Sequence, residues 1–394
     1  MSVTTEQPMQ RGNVAEVARI FLRLGFTAFG GPAAHIAMMR REFVQQRQWL
    51  SDEHFVDLIG AVNLIPGPNS TELGMYIGYV RAGWLGLLVA GACFIGPAMG
   101  IVLGFAWAYV TYGSLPAIGW IFYGLKPVVV AIIAQALWGL GRTALKGWLP
   151  VVFGVGVVAL YLIGVNEIVL LFGTALAYGL IQWVLQRQRP ARPTVTAALL
   201  APAWWMKFAS GSVIGTIIAG FSQLTLLLTF LKIGATLYGS GYVLLAFLRD
   251  EFVIHLHWLT DRQLIDAVSV GQFTPGPVFT TATFIGYLIG GVPGAFVATL
   301  GIFLPSFIFV ALIHPVAARL RRYPFTALLL AGVNVAAIAF IAGVIIQLQR
   351  TALVDPLTWA IALLSLFILL RWQINSFWLI VAGAIIGVIA QSIR

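Results

Sequence analysis

Between Leu85 and Val110 no residue carries a charge, and the same is true from Val292 to Leu312. Runs of this length recur from about residue 84 to the C-terminus. A backbone inside hydrocarbon must satisfy its own N–H and C=O groups, which leaves helices and closed barrels. A spanning helix needs roughly twenty apolar residues, while a barrel strand needs about ten in strict alternation. Continuous apolar runs fit only the helix. The expected fold class is an all-α polytopic membrane protein. Of the 394 residues 60% are hydrophobic and 9% charged, against roughly 25% charged in a soluble domain. The 42 glycines and 18 prolines suit close-packed, interrupted helices.

The interruptions repeat. Asn63-Leu64-Ile65-Pro66-Gly67-Pro68 returns as Gln272-Phe273-Thr274-Pro275-Gly276-Pro277. Upstream, Phe29-Gly30-Gly31-Pro32 returns as Tyr238-Gly239-Ser240-Gly241. Glu42 matches Glu251 and Trp49 matches Trp258 at an offset of 209, then Gly78-Tyr79 matches Gly286-Tyr287 at 208. An internal repeat is therefore expected. Each half begins with two short broken hairpins (17–30 with 33–46, and 54–65 with 69–80; then 225–238 with 242–253, and 263–274 with 277–288). Each arm is about 20 Å long at about 1.5 Å per residue, short of the roughly 30 Å hydrocarbon layer. Four long helices follow each hairpin pair: 84–111, 116–141, 148–164 and 166–184, then 292–317, 323–349, 352–370 and 374–392. The domain plan is a tail at 1–15, a first repeat at 16–184, a linker at 185–205, an extra helix at 206–222 and a second repeat at 223–394.

The formal net charge is +10. Most basic residues sit at segment ends, where the positive-inside rule accounts for them and nucleic acid is not implied. Arg142 and Lys146 follow the second long helix of half one. Arg319, Arg321 and Arg322 precede its counterpart in half two. Placing both clusters in the cytoplasm inverts one half relative to the other. The extra helix supplies the odd crossing, giving about thirteen membrane elements, a cytoplasmic N-terminus and an external C-terminus. Inverted repeats of this kind are a transporter design.

Several polar residues interrupt the apolar segments. Arg23 and its repeat mate Lys232 either snorkel to an interface, pair with a nearby acid, or attract an anion. Lys126 and its mate Asn334 form either a structural polar knot or further donors to an anion. At the second hairpin tip Asn69, Ser70 and Thr71, with Thr280 and Thr281 in half two, start helices whose free N–H groups favour anions. Asn69 and Glu72 also fit a capping box, while Glu72 could carry a coupling proton. His35 is a packing residue or a ligand. Glu42 and Glu251 read as salt-bridged at the hairpin bases, to Arg40/Arg41 and Arg249. No phosphate-cradling loop or His-Glu-x-x-His is present, and Cys93 is the only cysteine. No enzyme, cofactor or metal site is expected.

Phe29-Gly30-Gly31-Pro32 with His35, Glu42-Phe43-Val44, Trp49-Leu50, Leu64-Ile65-Pro66-Gly67-Pro68, Thr71 and Ile77-Gly78-Tyr79 closely resemble the chromate ion transporter family in its long, two-domain form. The resemblance covers nearly the whole chain. Its motif positions here are Gly30, Gly31, Pro32, His35, Glu42, Trp49, Pro66, Gly67, Pro68, Gly78, Tyr79, Pro275, Gly276 and Pro277. Half two departs from the first motif and has no histidine there. The resemblance implies an inner-membrane protein that expels chromate and confers resistance, with sulfate as an exchanged or competing anion. A transporter of sulfate or another small anion, and an anion channel of the same fold, are the alternatives. The partners expected are these anions, the lipid bilayer and a possible second copy of the chain.

Overall fold

The computed structural model describes residues 13–187, 222–238, 241–313, 324–372 and 374–393. The expected linker from 188, the extra helix up to 221, and the Arg319, Arg321 and Arg322 cluster lie outside the described residues. So do most of the tail and Gly239-Ser240 of the third break. Fourteen α-helices make up the described fold. Half one comprises α1 (Val14–Thr27), α2 (Gly31–Arg40), α3 (Asp52–Val62), α4 (Asn69–Tyr112), α5 (Pro116–Ala144), α6 (Trp148–Leu162) and α7 (Glu167–Arg187). Half two comprises α8 (Gln223–Thr236), α9 (Leu244–Arg249), α10 (Asp261–Phe273), α11 (Thr281–Ile313), α12 (Pro324–Ala352), α13 (Pro356–Trp372) and α14 (Ser376–Ile393). Among the described residues six helices are long and apolar enough to cross a membrane. The chain is an all-helical, multi-pass membrane protein.

The repeat is exact enough to reproduce backbone angles. α4 breaks at Ala82 (φ −139°, ψ 21°) and Gly83 (φ 65°, ψ −151°). α11 breaks at Gly290 (φ −133°, ψ 18°) and Gly291 (φ 62°, ψ −153°). A positive φ of this size suits glycine, so Gly83 and Gly291 let each hairpin arm turn into its long helix. The expected gaps near residues 81–84 and 289–291 are these breaks. The halves pack through equivalent small-residue contacts. Gly124 of α5 lies against Gly383 and Gly387 of α14, and Gly332 of α12 lies against Thr174 and Ala175 of α7. Without a hydrophobic drive between helices in lipid, such close backbone approach supplies the packing.

One feature was not anticipated by helical spacing. After α2 the chain makes a π-helical turn at Arg41–Gln46, and after α9 another at Asp250–His255. The two turns are repeat mates. Each holds the glutamate of its half, Glu42 or Glu251.

The hairpin bases lie at different ends of the long helices. Arg81, just before the α4 break, pairs with Glu16 at 3.2 Å and stacks over Trp49, 4.6 Å from its ring centre. These residues belong to the first base. At the far end of α4, Tyr109 donates to Asp266 of α10 at 2.9 Å. The start of α7 meets the second base, where Glu167, Asp250 and Glu251 gather their carboxylates within 4.8 Å of one another.

Candidate functional site

The hairpin tips of the two halves meet and exchange hydrogen bonds. The Gly67 amide donates to the Leu237 carbonyl at 2.8 Å, and the Gly276 amide donates to the Ala28 carbonyl at 2.8 Å. Gly67 matches Gly276 and Ala28 matches Leu237, so the exchange is reciprocal, as a pseudo-two-fold relation requires. The Pro-Gly-Pro geometry explains the local sequence. Gly67 has φ 137° and Gly276 has φ 90°. A Cβ at Gly67 would lie 2.6 Å from Ser306 Oγ and against the Glu72 carboxylate, and one at Gly276 would lie 2.7 Å from Ala98 Cβ.

Among the described residues the polar groups at the two tips differ in kind. His35 is 1% exposed; its Nε2 lies 3.0 Å from the Ala28 carbonyl and its Nδ1 3.2 Å from Ser70 Oγ. The carbonyl must accept, so Nε2 carries the proton and Nδ1 accepts from the Ser70 hydroxyl. Ala28 thereby collects His35 and Gly276, tying the first motif break to the opposite half. Thr71 and Glu72 are fully buried, and the Thr71 hydroxyl and both Glu72 oxygens make no hydrogen bond by geometry. The Ser306 hydroxyl is the polar group facing Glu72. In half two Thr280 and Thr281 donate back to the carbonyls of Pro277 and Val278, both at 2.8 Å. Their hydroxyl protons are already engaged.

Asn69 does not cap its helix. Pro68 is the cap residue, and its carbonyl accepts from Thr71 and Glu72 amides at 2.7 and 3.0 Å. Asn69 instead donates to Asn63 across the turn at 2.6 Å. The capping-box expectation fails because Pro68, with its fixed φ, already holds the cap position. Among the described residues a capping box does form at Thr260 and Gln263, at the start of α10.

A cavity of about 590 Å³ opens beside the first motif break. Gly30, Gln135, Arg142, Tyr242, Asn375 and Ser376 line it, with Ala33 and Ala34 of the first turn of α2. No side chain caps α2, whose N-cap Gly30 is left-handed at φ 102°. Pro32 has no N–H, so Gly31 and Ala33 hold the orphan donors of this first turn, Ala33 beside the cavity. Ser376 begins α14, so two helix N-termini and one guanidinium share the space. In the sequence Arg142 marks orientation only; its i, i+7 spacing from Gln135 on α5 is the signal that points to this shared face.

Arg23, Lys126 and Lys232, the cations read as possible anion donors, are all ion-paired. Arg23 pairs with Glu42 at 2.5 Å, and Arg47 pairs with the same carboxylate at 2.6 Å. Lys232 pairs with Glu251. This corrects the expected partners of the two glutamates. Arg40 instead bonds Asp52 at 2.9 Å and Arg249 bonds Asp261 at 2.7 Å. The π turns carry Glu42 and Glu251 toward α1 and α8 rather than toward their sequence neighbours. Burial pushes the Glu42 carboxyl up, but Arg47 and Arg23 outweigh it and hold it below the ordinary carboxylate value. Trp49 is buried in this base against Phe43. Gly78 packs on Gly86 across the α4 break, and Tyr79 stacks edge-on to Trp84.

Lys126 is 7% exposed and Asp266 2%, and their charged atoms are 2.9 Å apart. Asn334 is exposed and is not brought to the tips by any described contact. Of the possible cation ligands, Glu167, Asp250 and Glu251 converge, but Lys232 already supplies positive charge to Glu251.

Reciprocal broken hairpins, close-packed spans and a cation-lined cavity at the tip define a membrane transport protein built from two like halves. The family model described as chromate transporter matches residues 15–183 and 224–388, and the chain belongs to that family. It is 35% identical to a chromate transport protein of Cupriavidus metallidurans, over 95% of this chain and 92% of that one. It is 32% identical to a probable chromate transport protein of Synechococcus elongatus, over 96% of each chain. A chromate transport protein of Pseudomonas aeruginosa is 32% identical over 73% of this chain and 70% of its own. No solved structure matches.

Proposed function

We propose that this protein is a carrier, not an enzyme, that moves chromate out of the cytoplasm across the inner membrane. Sulfate, the like-shaped dianion, competes for the same site, and the outcome for the cell is chromate resistance. The observation that carries this reading is the cavity at the first motif break. There Arg142, Gln135 and the open first turn of α2 offer donors to a tetrahedral oxyanion. Charge-assisted bonds from a guanidinium suit such an ion. Release must also be possible, so several weak donors serve better than a tight clamp.

Inverted halves and a cytoplasmic N-terminus belong to the same proposal. The first base carries Arg40, Arg41, Arg47 and Arg81, where the second carries Arg249, Asp250, Leu256 and Ile289. A basic base inside and a more acidic one outside follows the positive-inside rule. The packing of Arg81 with the first base and of Tyr109 and Glu167 with the second supports opposite faces for the two. The cavity then reaches from the tips toward the cytoplasm at Arg142. An inside-negative potential drives a dianion outward by about 2.3 kcal/mol per charge for each 100 mV.

Inverted membrane vesicles containing the protein are expected to accumulate chromate with saturation and to lose that uptake as sulfate is added. Vesicles whose uptake matches protein-free controls at every concentration would contradict the reading.

A further inference from the structure

The Lys126–Asp266 pair stands apart from the cavity. Nine residues separate Lys126 from Gln135 on α5, about half a turn out of phase at about 3.6 residues per turn, so the lysine faces away from the cavity wall. Its ammonium is 2.9 Å from Asp266 Oδ1, and the Tyr109 hydroxyl donates to Asp266 Oδ2 at 2.9 Å. The pair joins the halves: Lys126 comes from half one, and Asp266 from α10, the arm leading into the Pro275-Gly276-Pro277 tip.

The scaffold does not demand this pair. The equivalent positions in the other halves hold Asn334 and Asp57, both exposed, although α12 and α3 form as α5 and α10 do. A buried ion pair is weak evidence for stability, since well-packed apolar residues often serve as well. Its place is informative. Tyr109 is near the end of α4 and Asp266 near the middle of α10, between the hairpin tips and the second base. The cavity meets α5 further along the helix, from Ile132 to Arg142.

We propose that Asp266 is a resident counter-anion for Lys126. Its carboxylate occupies the ammonium when no substrate is present. A dianion passing the tips takes its place, releasing Asp266 and the α10 arm that it holds. An oxyanion offers the same kind of acceptor as a carboxylate with one more charge, so both compete for one ammonium. The inference rests on the anion-transport reading and adds to it a residue that sets anion affinity.

The test is chromate and sulfate flux in proteoliposomes. Removing the competitor in Asp266→Asn is expected to lower the half-saturating concentration by about fivefold or more and to lower the maximal rate, because the anion leaves Lys126 slowly. Asp266→Glu is expected to restore values near the wild type. Lys126→Gln is expected to raise half-saturation by about tenfold or more. Asp266→Asn with an unchanged half-saturation, whether or not the rate falls, overturns the inference and leaves the transport reading standing. A wild type that moves neither anion overturns both. Should Asp266→Asn fail to accumulate, the wild type itself decides: hydrophobic carbodiimide modification of Asp266, read by mass spectrometry, is expected to rise with sulfate concentration. Modification that is indifferent to sulfate overturns the inference.

Discussion

The amide of Gly276 donates to the carbonyl of Ala28 at 2.8 Å, and the same carbonyl faces His35 Nε2 at 3.0 Å. A backbone atom in the first motif break thus joins a histidine of one half to the hairpin tip of the other. The mirror bond, Gly67 to Leu237, lacks the histidine, since Leu244 stands where His35 would. The pseudo-symmetry holds for these two backbone bonds and is broken at the side chains beside them.

Replacing His35 tests that junction. His35→Ala leaves the Ser70 hydroxyl and one lone pair of Ala28 without partners in a buried site. A loss of about 1–3 kcal/mol is expected, read as a lower melting temperature in detergent. A melting temperature equal to the wild type would show that the junction carries no stability.

The tip glycines make a sharper prediction. Gly67→Ala meets both a positive φ and a side chain aimed at Ser306 and Glu72. The left-handed conformation alone costs about 1–2 kcal/mol for a non-glycine residue, and the overlap adds to it. Gly67→Ala is expected to lower folded yield more than Ala98→Gly, which only opens space beside Gly276. Equal yields would contradict the tip geometry.

The base cations are expected to behave as structural parts. Arg23→Ala and Lys232→Ala should each lower thermal stability, leaving half-saturation for chromate within about twofold of the wild type. A larger change would place these residues on the anion path. Below its ordinary value, the Glu42 carboxyl contributes stability at neutral pH that is lost only as pH falls through its lowered titration. The first base should therefore hold from about pH 8 to 5 and loosen in stronger acid. Melting temperatures of the wild type and Glu42→Gln across that range check this: their difference should stay constant to about pH 5 and shrink below it.

Much of this fold was legible because glycine and proline mark it. The breaks at Gly30-Gly31-Pro32, Pro66-Gly67-Pro68 and Pro275-Gly276-Pro277 and the turns at Gly83 and Gly291 all follow from backbone conformations that these residues favour. The tight pairing of Glu42 and Glu251 was legible in kind but not in partner. Sequence neighbours suggested Arg40 or Arg41 for Glu42 and Arg249 for Glu251, while the π turns swing both acids toward α1 and α8. Asp266 was invisible as the partner of Lys126, because nothing local links two residues from different halves. Arg142 was read for its place at a helix end, and only packing shows that the same face borders a cavity. Asn69 illustrates a different failure, in which a capping motif lost to the proline beside it.

Topology follows from tags placed at residue 195 and at the C-terminus. The first is expected to be accessible only from the cytoplasm and the second only from outside. Both tags on one face would reject the inverted arrangement.

The cavity is the central claim, and Arg142 tests it most directly. Chromate flux through proteoliposomes is to be compared for the wild type, Arg142→Lys and Arg142→Ala, each shown to be folded by its melting temperature. Removing the guanidinium is expected to raise half-saturation by about tenfold or more, with lysine intermediate because it keeps the charge and loses the fork. Half-saturation unchanged in Arg142→Ala would contradict an anion site at the first motif break.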